Sequence, residues 1–181
     1  MKSIFLAFKL LLIGYCGYLL YILAIEYHPA DPLGFRPPFV LWVIDTINLF
    51  IHEAGHLFFR LFGQTMYILG GSIVQFLIPL VLAIVTWREK PHQVGLPLFW
   101  FGESLVNVSV YIADAPYKNL KLIKEGLIHD WHWLLSDNLE IAEPTAFVVR
   151  GLGLVVCVAA IAAMGSYAVR SFREDAIVIA D

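Results

Sequence analysis

The sequence has little charge. Asp, Glu, Lys and Arg make up 15% of its 181 residues, against about 25% in an ordinary soluble domain. The net charge is −3, so no strong field draws phosphate or acidic substrates, and nucleic acid is not an expected partner. Cysteine is scarce as well. Cys16 and Cys157 both fall in apolar runs and read as buried thiols packing like small apolar side chains. They make no disulfide framework. There is no internal repeat and no low-complexity tract. Apolar residues, in contrast, make up 60% of the chain, and the mean hydropathy is +0.76. One core of this size cannot hide that much apolar surface from water, which excludes a disordered chain or a typical soluble enzyme and points to the bilayer as solvent.

The expected fold is an all-α integral membrane protein in one domain, 1–181. It has about five transmembrane helices, near 4–25, 39–63, 67–87, 94–115 and 145–169. Each is long enough to cross about 30 Å of hydrocarbon at 1.5 Å per residue. The first apolar run is too long for a signal peptide, and no small-x-small site follows it, so it reads as an uncleaved helix. Five crossings put the first and last helix ends on opposite sides. Lys and Arg are spread too evenly between the loops to choose an orientation.

Inside the second helix stands His52-Glu53-Ala54-Gly55-His56, an HExxH motif. Positions i and i+4 share one face of a helix, so both imidazoles can grip one metal ion. The glutamate beside them can take a proton from a water that zinc has acidified. A chance HExxH is expected in about 1% of shuffled chains of this composition. Ionisable groups at this depth are costly unless they pair or coordinate. The expected ligands are therefore His52 and His56, with Glu53 catalytic and zinc the cofactor. The site would lie about 10 Å below the side that holds the N-terminus.

The polar residues of this helix form one stripe. Asp45, Asn48, His52, Glu53, His56 and Arg60 fall within about 140° of arc. The fourth helix has its own: Glu103, Asn107, Tyr111 and Asp114 span about 80°. The two stripes are expected to face each other. The third helix begins Gly70-Gly71-Ser72 and continues to Gln75 and Pro79. Small residues allow close helix approach or an opened backbone. Gly71, Gln75, Asn107, Asp45 and Glu103 are candidates for supporting the site or holding substrate. Gln75 has an amide suited to a peptide backbone.

A catalytic zinc normally takes a third protein ligand. The segment 116–144 contains His129-Asp130-Trp131-His132. Leu120, Ile123, Leu127, Trp131 and Leu134 recur at helical spacing, which predicts an amphipathic helix on the membrane surface. On its wheel Asp130 lies within about 20° of Ile123, while His129 and His132 point away. Asp130 is the expected ligand. A break at Gly126 would restore His129, and Asp114 is a further alternative.

HExxH within a transmembrane helix, with a carboxylate ligand from later in the chain, resembles the site-2 proteases. These are intramembrane zinc metalloproteases that cut transmembrane substrates. The resemblance covers the second to fourth helices and suggests a distant, minimal relative. It implies zinc on His52 and His56, Glu53 as general base, and a transmembrane protein substrate. It also implies a cytosolic side for both the metal and the N-terminus. The family's carboxylate ligand lies in an Asp-Gly pair, whereas Asp130 here is followed by Trp131. Two other functions fit the same residues. One is a non-catalytic membrane subunit with a structural metal, in an oligomer or larger membrane complex. The other is an ion or metal path along the two stripes.

Overall fold

The computed structural model describes residues 2–29, 34–120 and 128–180, with side chains from 4 to 172 within those ranges. Every regular element among them is helical. α1 spans Lys2–Tyr21 and runs on as a wider π-turn, Ile22–Glu26. α2 is Phe39–Phe59, closed by a tight turn at Arg60–Phe62. α3 is Gln64–Glu89, α4 is Gly95–Ala113, α5 is the short Asp130–Leu134, and α6 is Ala142–Ala180. The expected helices are thus present, with α2 shorter at its C-terminal end and α6 longer at both ends.

Four helices are long and apolar enough to cross a membrane: Ile4–Glu26, Gln64–Glu89, Gly95–Ala113 and the one containing Leu139–Phe172. α2 is not among them. Its length would suffice, but Asp45, Asn48, His52, Glu53 and His56 interrupt its apolar run. The outer surface of the bundle is strongly apolar, and part of its interior is polar. Phe8, Leu11, Leu57, Phe58, Phe147 and Val155 are exposed, while Asn48, Gln75, Glu103 and Ser104 are buried.

Side-chain contacts fix the direction of each helix. Lys9 Nζ donates to Ser171 Oγ at 3.1 Å, and Arg150 Nη2 donates to the Leu23 carbonyl at 2.7 Å. α1 and α6 therefore run antiparallel, with the start of α1 beside the late part of α6. α4 packs on α6 and on α3, and α3 packs on α2. Trp131 of α5 reaches Ser72 of α3, and His132 reaches Ala115 just after α4. The C-terminal ends of α1 and α4 and the N-terminal ends of α3 and α6 thus gather at one end of the bundle, called the site end.

Four span-like helices thus stand where about five were expected. The start of α1 and the late part of α6 lie together at the far end, not on opposite sides. The chain between Tyr27 and Gln64 leaves from the site end and returns to it, because Tyr27 shares a cavity with Asp114, Tyr117 and Glu143.

Two crossings are close because they lack side chains. A Cβ on Gly55 would collide with the Gly70 carbonyl and come within 2.9 Å of Gly71 Cα. Across α4 and α6, a Cβ on Gly102 would meet Cys157 Sγ and the Gly153 carbonyl at 2.7 Å. Small residues at such points allow helix backbones to touch.

Candidate metal centre

The two histidines of α2 lie one turn apart, and their rings meet edge to face with centroids 4.8 Å apart. Asp130 opens α5 and points its carboxylate between them. Its Oδ2 lies 2.8 Å from His52 Nε2 and 3.1 Å from His56 Nε2. His52, His56 and Asp130 form a group able to hold a metal ion, with ligand atoms all within 4.8 Å of one another. Two ligands at 2.0–2.1 Å from a tetrahedral ion stand about 3.3 Å apart. The observed spacings need only small adjustments to admit one.

The far side of each imidazole is also held. His56 Nδ1–H donates to the Tyr67 carbonyl at 2.8 Å. A carbonyl can only accept, so that ring keeps its Nε2 lone pair for a ligand bond. His52 Nδ1 lies 3.0 Å from Gln75 Oε1. Metal-binding histidines commonly carry such a partner, which fixes ring orientation and tautomer. Tyr111 stacks on the His52 ring at 5.6 Å and 17°. Burial pushes the Asp130 carboxyl up, but hydrogen bonds and charge from His52 and His56 outweigh it and hold its pKa below the usual carboxylate range. The anionic form is the one a metal needs.

Two clamps aim Asp130. Trp131 Nε1 donates to Ser72 Oγ at 3.1 Å, and His132 Nδ1–H donates to the Ala115 carbonyl at 2.8 Å. His129 is the residue just before α5 and is not part of the cluster. Asp114 is used elsewhere. Its two oxygens accept the backbone N–H groups of Asn119 and Leu120 at 2.8 and 2.9 Å, which shapes the chain leaving α4. Leu120 and the 128–134 part of the expected interfacial helix are described; Ile123, Gly126 and Leu127 lie outside the described residues. In the described part, helix begins only at Asp130, so its aim comes from the two clamps.

Glu53 is exposed and lines a cleft of about 560 Å³ with His56, Leu57, Arg60, Gly63, Gln64 and Tyr67. Of the cluster residues, His56 lines that cleft beside it. The two polar stripes do face each other. Asn48 Nδ2 donates to Glu103 Oε2 at 2.8 Å, and Asn107 Nδ2 donates to Asp45 Oδ1 at 3.0 Å. Trp100 Nε1 and Ser104 Oγ–H donate to Asn48 Oδ1. Glu103 is fully buried, and its Oε1 has no hydrogen-bond partner among the described residues.

Two substrate-holding expectations are overturned. Gln75 is 1% exposed and spends its amide on His52 and Asn107, so it is not free for a peptide backbone. Gly70 and Gly71 are covered by α2. A Cβ on Gly71 would stand 2.6 Å from His52 Nε2, so this glycine makes room for the imidazole. Gly71→Ala should displace the ring and weaken zinc binding by more than about 10-fold, the lower bound for losing ligand orientation. Gly151→Ala, which meets nothing within 4 Å, is the matched control. Equilibrium dialysis of both variants against zinc checks this.

Sequence reasoning did not single out Tyr67, Gly55 or Tyr27, and it read Ser72 only as a small residue. A backbone carbonyl carries no residue signature. Gly55 inside the motif, set against Gly70-Gly71, was the legible sign of the α2–α3 contact.

Fold and site together define a helical protein with four span-like helices and a largely buried His₂Asp group. No family model, curated protein or solved structure matches the chain, so the site's chemistry alone carries the functional argument.

Proposed function

We propose that this chain is an integral membrane zinc metallohydrolase, a protease of membrane-embedded peptide bonds. The observation that carries this reading is the Asp130 carboxylate between two Nε2 atoms whose Nδ1 atoms already have partners. Such an arrangement leaves three ligand atoms free and a fourth position for water or substrate, the pattern of catalytic rather than structural zinc. Four apolar helices with exposed apolar faces support the membrane setting.

When bound, zinc supplies Lewis acidity to a water and to the scissile carbonyl. The chain's own residues supply the rest. His52, His56 and Asp130 would hold the ion, and Gln75 and the Tyr67 carbonyl orient the imidazoles. Glu53 takes a proton from the attacking water and returns it to the leaving amine. The cleft beside Glu53 opens at the site end, where a substrate segment unwound from its helix would enter. The expected partner is a transmembrane protein substrate in the lipid bilayer.

Metal analysis of the purified full chain tests the reading. Wild type should carry one zinc per chain, and His56→Ala should carry none after dialysis. Wild type without stoichiometric zinc would sink it. A closed site, with a fourth protein donor in the water position by X-ray absorption, would favour a structural metal instead.

A further inference from the structure

His52 and His56 are held in different ways. The partner of His56 Nδ1 is a backbone carbonyl, which cannot donate. The partner of His52 Nδ1 is the Gln75 amide, which can present either an oxygen or an NH₂ group by turning over. If it presented NH₂, His52 Nδ1 would have to accept. The ring proton would then sit on Nε2, the atom that faces the metal position. Something must keep the Gln75 oxygen toward His52.

The structure traces that constraint through three further side chains. Gln75 Nε2 donates to Asn107 Oδ1 at 2.7 Å. Asn107 Nδ2 donates to Tyr27 Oη at 2.7 Å and to Asp45 Oδ1 at 3.0 Å. Tyr27 Oη–H donates to the same Asp45 oxygen at 2.7 Å. A carboxylate accepts and cannot donate. Asp45 therefore turns the Asn107 NH₂ toward itself, which turns the Asn107 oxygen toward Gln75. Gln75 must then offer its own oxygen to His52. If both amides turned over, the Asn107 oxygen would lie against the Asp45 carboxylate. Gln75 and Asn107 are 1% and 7% exposed, so water does not substitute for the missing partner. The chain passes polarity along, not protons: a neutral amide has no labile proton it can readily pass on.

We propose that Asn107 is a positioning residue of the metal centre: through Gln75 it carries the acceptor character of Asp45 across to His52 Nδ1, so that His52 Nε2 presents its lone pair to zinc. Asp45 and Tyr27 are the anchors of that chain. The inference rests on the zinc reading above and extends it to side chains that do not touch the metal ligands.

The experiment compares full-length variants in detergent, with zinc alone as ligand and a competing chelator to set the free ion. Asn107→Leu should weaken zinc binding by about 10- to 100-fold, the usual effect of losing an outer partner. Asn48→Leu removes an equally buried asparagine outside the chain and should leave affinity within about twofold. The decisive variant adds Gln75→Glu. A glutamate accepts from His52 whichever way it turns, so Gln75→Glu with Asn107→Leu should regain most of the lost affinity. ¹⁵N shifts of the histidines should report the Nδ1–H form of zinc-loaded His52 in wild type and in the double variant. Should Asn107→Leu fail to fold, Asp45→Leu with and without Gln75→Glu removes the acceptor at the other end of the same chain. Unchanged affinity in the single variant overturns the inference, as does a loss that Gln75→Glu does not restore. Wild type that binds no zinc instead overturns the metal reading itself.

Discussion

Glu53→Gln should leave zinc in place and remove hydrolysis. The side chain is exposed in the cleft, one residue along α2 from His52, and takes no part in the His₂Asp cluster. Glutamine has the same shape and cannot accept a proton as a carboxylate does. General-base catalysis of this kind contributes about 10²- to 10⁴-fold, so turnover should fall by that factor while zinc stoichiometry stays at the wild-type value. The measurement pairs metal analysis with mass spectrometry of fragments released from single-span proteins reconstituted beside the enzyme. Undiminished cleavage by Glu53→Gln would refute the assigned role.

The second large effect concerns the third ligand. Asp130→Ala removes the oxygen that lies between the two imidazoles. Zinc affinity should fall by more than about 100-fold, beyond what an outer partner contributes. His129→Ala and Asp114→Ala should stay close to wild type, because His129 is outside the cluster and Asp114 holds backbone N–H groups. Asp114→Ala should lower thermal stability instead, since two N–H groups lose their acceptor. A chelator titration with a melting curve on each variant separates the two effects. Metal loss in His129→Ala but not in Asp130→Ala would reassign the ligand.

The parts of the site that follow from helix periodicity were readable in the sequence. His52 and His56 share a face because they are four residues apart, and the stripes on α2 and α4 meet because buried polar groups need partners. Asp130 was chosen on the assumption of a continuous amphipathic helix. The structure brings it to the histidines through Trp131 and His132, contacts that no periodicity encodes. The contact of α2 with α3 went unread for a related reason, because it is decided by packing, here by Gly55 against Gly70 and Gly71. The His52–Gln75–Asn107 links join three helices, and their amide orientation exists only once Asp45 and Tyr27 are in place.

The antiparallel pairing of α1 and α6 has a practical consequence for compartments. If α1 and α6 both cross a bilayer, a reporter fused before α1 and one fused after α6 would stand in the same aqueous space, and the mouth of the Glu53 cleft would open to the other. An impermeant reagent that modifies both reporters would then leave the metal site untouched, and a chelator confined to that side would strip nothing. That topology differs from the arrangement the resemblance implies, in which the start of α1 and the metal are both cytosolic. On the proposed function, metal loading and product release would then belong to the side opposite those helix ends.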